Sequence, residues 1–148
     1  MPDILLTLHN WTRWPVVILG LVAIYRAYVG WTGRKPFAKA DNGISAAFSG
    51  FLWLQVLIGL ALYFGDGPWG LSGLKQFGMK NATARFFGME HPLMMIIAAA
   101  LAQVGRIAMK KASEDTLKHK KLFIYFGIAL LIILVMIPWG IWNPGARA

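Results

Sequence analysis

The stretch that decides the fold is Leu117–Trp139, LKHKKLFIYFGIALLIILVMIPW, in which residues 122–139 carry no charge. An α-helix needs about 20 mainly apolar residues to cross the hydrocarbon core of a bilayer. Three other stretches have the same character, so helices are predicted at about residues 4–32, 44–64, 86–109 and 117–139, with a long loop at 65–85. The sequence therefore predicts a single all-α transmembrane domain over residues 1–148.

The composition excludes a soluble domain. Of the 148 residues, 57% are hydrophobic and 14% are charged, whereas soluble domains carry about 25% charged residues. The net charge of +9 would suggest nucleic acid in a soluble protein, but these basic residues lie between apolar runs. We therefore expect membrane lipid, and no nucleic acid, as a partner. The absence of cysteine excludes disulfides, thiolate metal sites, iron–sulfur clusters and covalent c-type haem.

The basic residues predict the orientation, because Lys and Arg are enriched in cytoplasmic loops. Nine lie after the first stretch or around the connection between the third and fourth stretches: Arg34, Lys35, Lys39, Arg106, Lys110, Lys111, Lys118, Lys120 and Lys121. Four lie in the other segments: Lys75, Lys80, Arg85 and Arg147. We expect an up-down four-helix bundle with both termini on the outer, periplasmic side and the 65–85 loop outside.

Two histidines are predicted to lie at one depth. His9 stands 21 residues from Gly30 and His91 stands 19 from Lys110, which correspond to heights of roughly 31 and 28 Å above the inner ends of their helices. The first and third helices of an up-down bundle are diagonal partners across its core. Paired imidazoles at one level are what the axial ligation of a b-type haem requires, so His9 and His91 are the candidate metal ligands.

Cations near these histidines are candidate partners for haem propionates. Arg13 lies one helical turn from His9, and Arg85 approaches from the outer loop; either one could instead face lipid phosphate. Glu90 is expected to stabilise the start of its helix, pair with an arginine, or support His91 as a hydrogen-bond acceptor. A non-haem metal held by His9, Glu90 and His91 is an alternative.

Small residues continue the faces of both histidines, and they have two interpretations. They are Gly20, Ala23 and Ala27 on the first helix and Ala98, Ala102 and Gly105 on the third. They would leave room for a flat macrocycle below its ligands, or they would allow close helix packing, which is ordinary in membranes. His119 belongs to the opposite, cytoplasmic side and is expected at the surface.

The chain resembles a known group in three short segments. Leu8-His9-Asn10-Trp11-Thr12-Arg13-Trp14, Glu90-His91-Pro92-Leu93-Met94-Met95 and Lys118-His119-Lys120-Lys121 look like those of small bacterial four-helix membrane proteins labelled cytochrome-b-like. The architecture is also similar to the cytochrome b561 class, which holds haem b through paired histidines. The resemblance implies the bacterial inner (cytoplasmic) membrane and one haem b, since three histidines cannot form two bis-histidine sites.

Two functional hypotheses follow from these features. In the first, the protein is an electron carrier or the haem subunit of a quinol-linked oxidoreductase, with no catalytic side chain of its own; Gln55, Gln103 and Tyr125 are candidate hydrogen-bond partners of a quinone. In the second, it is a non-enzymatic accessory subunit that binds lipid or pigment and packs against other membrane protein subunits of a respiratory or photosynthetic complex. A metal transport or assembly factor is a third, lesser alternative.

The orientation generates the first testable prediction. Reporter fusions at Lys39 and Lys111 are expected to report a cytoplasmic location, and a fusion at Ala148 a periplasmic one, because the basic segments stay inside. The measurement uses two reporters at each position, one active only in the cytoplasm and one active only in the periplasm. An inverted pattern would contradict the assignment of His9 and His91 to the outer side.

Overall fold

The residues that the computed structural model describes, 2–65 and 70–137, form helices joined by short connections, and no strand occurs among them. The helices are α1 (Pro2–Thr32), α2 (Lys39–Tyr63), α3 (Leu71–Phe77), α4 (Ala82–Arg85), α5 (His91–Lys111) and α6 (Asp115–Met136), and a π-helical turn, Phe86–Glu90, joins α4 to α5. Four spans are long and apolar enough to cross a membrane: Ile4–Thr32, Lys39–Tyr63, Ala82–Lys111 and Asp115–Met136. The predicted all-α class is confirmed, and the four spans make the chain a multi-pass membrane protein.

Two helical spans begin earlier than the apolar pattern suggests, because polar residues start them. The α2 helix begins at Lys39 rather than near Ile44, and the Asp41 carboxylate accepts a hydrogen bond from the Ala38 backbone amide at 2.8 Å. The span that contains α5 begins at Ala82, where the Asn81 side chain accepts from the Ala84 amide at 2.9 Å. Residues 66–69 of the expected outer loop, the last two residues of the expected fourth helix and Arg147 lie outside the described residues.

The four long helices pack in a defined set of pairs. Both α1 and α5 pack against α2 and against α6. At one end of the bundle, Thr12 in the first half of α1 bonds Gln55 in the second half of α2. At the same end, His91 at the start of α5 contacts Met136 at the end of α6. We call this the His9 end. The other, which we call the His119 end, contains the ion pair between Arg26 of α1 and Asp41 of α2 at 2.8 Å.

Aromatic rings and small residues fill the middle of the bundle. Phe48 of α2 and Phe126 of α6 are fully buried, with ring centroids 4.8 Å apart. A Cβ atom added at Gly20 of α1 would lie 2.8 Å from the Phe48 ring. Ala98 and Ala102 of α5 are completely buried in the same core. Side chains of neighbouring helices therefore occupy the space beside the small residues, which favours their interpretation as packing sites over a slot for a macrocycle.

The expectation that His119 lies at the surface is wrong. His119 is only 2% exposed, and its ring packs at 5.1 Å from that of Phe37 in the α1–α2 connection. A Cβ atom added at Gly30 would clash with the imidazole. Because Gly30 has no side chain, the imidazole of His119 fits against α1, although its neighbours on α6 are lysines.

Close packing of α5 on α6 yields a testable prediction. A Cβ atom at Gly105 would lie 2.5 Å from the Cβ of Tyr125, whereas a Cβ atom at Gly127 would meet nothing within 4 Å. We expect Gly105→Ala to lower the free energy of unfolding by about 1–3 kcal/mol through overpacking. Gly127→Ala is expected to leave it unchanged or raise it by up to about 1 kcal/mol, since alanine favours the helix. Unfolding in mixed micelles measures both, and equal effects would contradict this account of the interface.

Candidate functional site

A cavity of about 350 Å³ lies at the His9 end, between α1, α2, α5, α6 and the π-helical turn. This volume is within the range of about 300–1,000 Å³ that is typical of small-molecule and cofactor sites. Most of its wall is aliphatic or aromatic, and the polar side chains in the wall are few: His9, Asn10, Arg13, Gln55, Tyr63 and His91. The cavity therefore suits a largely apolar ligand that carries a small number of polar groups.

The two histidines predicted to share a depth face the same cavity. The ring centroids of His9 and His91 are 6.2 Å apart, and the ring planes are inclined by 74°. Transition-metal ions bind imidazole nitrogen at about 2 Å, so two rings that ligate one ion from opposite sides have centroids roughly 6 Å apart. The separation of His9 and His91 matches that requirement.

A backbone carbonyl determines which nitrogen of His91 carries the proton. His91 Nδ1 lies 2.8 Å from the carbonyl oxygen of Met136. A carbonyl only accepts hydrogen bonds, so the neutral imidazole is protonated at Nδ1 and keeps its lone pair on Nε2. A hydrogen bond of this kind also orients most metal-ligating histidines in proteins. Nε2 is therefore the nitrogen of His91 that could bind a metal.

Polar residues of α1 and α2 hold the helical turn that carries His9. Gln55 Nε2 donates to the backbone carbonyl of His9 at 2.6 Å, and the Thr12 hydroxyl donates to Gln55 Oε1 at 2.5 Å. A Cβ atom at Gly59 would lie 3.2 Å from the His9 ring. The sequence indicated Gln55 as a candidate hydrogen-bond partner of a quinone, and its bond to the His9 backbone was not predicted.

The two arginines proposed from the sequence occupy different environments. Arg13 lines the cavity, and its buried Nε has no hydrogen-bond partner among the described residues. Its guanidinium also lies 5.3 Å from the centroid of the Trp14 ring. Such a cation beside a cavity favours an anionic group on the ligand.

Arg85 does not line the cavity wall. Its Nε donates to Glu90 at 3.0 Å, and its Nη1 donates to the Met79 carbonyl at 3.1 Å. The structure thus brings Arg13 together with the histidines, whereas Arg85 pairs with Glu90, one of the outcomes expected for that carboxylate. No group of three or more potential metal-ligating side chains occurs within residues 2–65 and 70–137, which disfavours a metal site formed by His9, Glu90 and His91.

The π-helical turn directly precedes His91 and brings aromatic rings to it. Phe86 and Phe87 have ring centroids 5.5 and 6.5 Å from that of His91, and Phe87 lines the cavity. π-Helical turns are often found at functional sites. Sequence reasoning missed Phe87 and Tyr63 as cavity residues, because aromatic residues at the end of an apolar run are equally typical of the membrane interface.

No protein-family model matches the chain, and searches of curated proteins and of solved structures find no match.

The bond between Gln55 and the His9 carbonyl is testable by substitution. Gln55→Leu is expected to lower the free energy of unfolding by about 1 kcal/mol, a typical value for one interhelical hydrogen bond in a membrane protein. Gln103→Leu is the matched control, since Gln103 is exposed and its contact with the Ser49 hydroxyl is 3.5 Å long. Unfolding of both variants in mixed micelles measures the difference; a larger loss in Gln103→Leu would contradict the prediction.

Proposed function

We propose that the protein is a cytochrome-b-like membrane protein that holds one haem b between His9 and His91. It carries single electrons between membrane quinol and an acceptor on the outer side, or serves as the haem subunit of a larger complex in the bacterial inner membrane. The observation that carries the proposal is the His9–His91 pair, with ring centroids 6.2 Å apart in an apolar cavity.

The residues of the cavity fit such a group in three respects. Its mostly apolar wall suits the body of a porphyrin, and the imidazoles approach from α1 and α5. The Nε2 lone pair of His91 is available, because Nδ1 is engaged by Met136. The unpartnered Nε of Arg13 supplies a cation for a propionate.

Each side chain would have a limited task in electron transfer. Haem iron, when bound, supplies the one-electron couple. His9 and His91 would hold it, the Met136 carbonyl would keep His91 in one tautomer, and Gln55 would fix the helical turn that carries His9. Arg13 would neutralise a propionate and raise the reduction potential, since a nearby cation favours the less positive, reduced state.

The proposed arrangement is an up-down bundle with both termini and the His9 end on the outer side. The contacts of Thr12 with Gln55 and of Arg26 with Asp41 support opposite directions for α1 and α2, and the contact of His91 with Met136 supports the same for α5 and α6. The basic residues of the connections at the His119 end support a cytoplasmic location for that end.

The proposal is tested by the visible spectrum of the protein purified after expression with ample haem. We expect a low-spin b-type spectrum. Replacing either ring, in His9→Ala or His91→Ala, is expected to abolish it or convert it to high spin, because one axial nitrogen remains instead of two. His119→Ala is the matched control: it is expected to lower stability, since His119 is buried, but to leave the spectrum of the folded protein unchanged.

The arginines provide a second comparison in the same preparation. Arg13→Ala is expected to weaken haem retention or lower the midpoint potential without a change of spin state, whereas Arg85→Ala is expected to alter neither, because Arg85 is engaged by Glu90. A wild-type protein without a chromophore would overturn the haem proposal and favour the accessory-subunit hypothesis. If only His119→Ala loses the spectrum, the haem lies at the His119 end, and its assignment to His9 and His91 is wrong.

A further inference from the structure

The His119 end contains a second polar site, independent of the proposed haem site. His119 Nε2 lies 3.2 Å from the carbonyl oxygen of Lys35. Because the carbonyl can only accept, Nε2 carries the proton of the neutral ring, and Nδ1 holds a lone pair. That Nδ1 is buried and has no hydrogen-bond partner among the described residues. A buried acceptor without a partner destabilises the folded state, so a hydrogen-bond donor at this nitrogen would stabilise the protein.

A small cavity of about 10 Å³ adjoins His119 and is also lined by Arg26 and Asp41. A volume of about one water-sized probe is enough for one water molecule, provided that two to four polar groups surround it. Asp41 accepts from Arg26 through Oδ1 and from the Ala38 amide through Oδ2, and each carboxylate oxygen retains a second lone pair. Arg26 retains further N–H donors. The polar groups that a buried water needs are therefore present.

We propose that this site binds a single buried water molecule, which donates to His119 Nδ1 and joins α6 to the Arg26–Asp41 ion pair. The site takes a neutral ligand, since the charges of Arg26 and Asp41 already balance and the cavity has no room for a larger molecule. The water completes a network in which α6 holds the α1–α2 connection: His119 donates to Lys35 and Asp115 accepts from the Phe37 amide at 3.0 Å. With this water, both ring nitrogens of His119 have a hydrogen-bond partner.

The test is nuclear magnetic resonance of the full chain in lipid nanodiscs with ¹⁵N-labelled histidine. The His119 signals are assigned by their loss in His119→Gln. We expect a neutral ring protonated at Nε2, an Nδ1 shift typical of a hydrogen-bond acceptor, and a cross-peak between a long-lived water and the ring Hε1 proton. An Nδ1 shift without a hydrogen bond, the lack of a water cross-peak, or protonation of both nitrogens would each overturn the proposal.

Substitutions at Ala27, which lines this cavity, sharpen the test. Ala27→Val fills the cavity, so the water cross-peak is expected to vanish. Ala27→Ser brings a hydroxyl into the water's place, so the cross-peak is expected to vanish while Nδ1 keeps its hydrogen-bonded shift; this variant replaces the first should Ala27→Val fail to fold. Ala102→Val is the matched control, since Ala102 is equally buried in α5 but does not line the cavity, and its cross-peak is expected to persist. A cross-peak that survives both Ala27 substitutions would place the water elsewhere and overturn the proposal.

Discussion

In a bilayer, a polar group must find its partner within the protein, because the hydrocarbon offers none. This constraint accounts for the position of several polar side chains on the long helices. Arg26 faces Asp41 across α1 and α2, Arg106 donates to Asn42 across α5 and α2, and Gln55 bonds the backbone that carries His9. Each contact joins two helices, so these polar pairs help to hold α2 against α1 and α5.

Small residues allow the helices to approach closely. Lipid tails are as apolar as the side chains, so helix association in a membrane depends largely on close van der Waals contact. The Phe48 ring packs against Gly20, and the side chain of Tyr125 packs against Gly105. The middle of the bundle is consequently filled by side chains. Space for a ligand remains at the His9 end, where Gly59 allows His9 to approach α2 and where the long connection from α2 to α5 includes the π-helical turn.

The features that could be predicted from the sequence are those that depend on constant helical geometry. Four apolar runs of sufficient length indicated the four helices. Similar residue counts from the inner ends, 21 and 19, predicted that His9 and His91 lie at one level, and their rings are neighbours in the structure. Features that depend on a second helix could not be predicted. His119 is buried because Gly30, on another helix, has no side chain to exclude it, whereas its own neighbours on α6 are lysines that indicate a surface. The early start of α2 depends on the hydrogen bond that the Asp41 carboxylate accepts, and the spacing of apolar residues along the helix does not indicate it.

The two ends of the bundle differ in what their unpartnered atoms require, and this difference supports the proposed ligand site at the His9 end. At the His119 end the unpartnered atom is one neutral nitrogen beside a balanced ion pair, in a cavity of about 10 Å³; a single water satisfies it. At the His9 end they are His9 Nδ1 and Arg13 Nε, in a cavity of about 350 Å³. Water could solvate that arginine, but it would leave a wide apolar wall wet, which is unfavourable. A large apolar ligand with an anionic group would cover this wall and also pair with the Arg13 cation. The paired imidazoles in the same cavity favour a ligand that carries a metal ion.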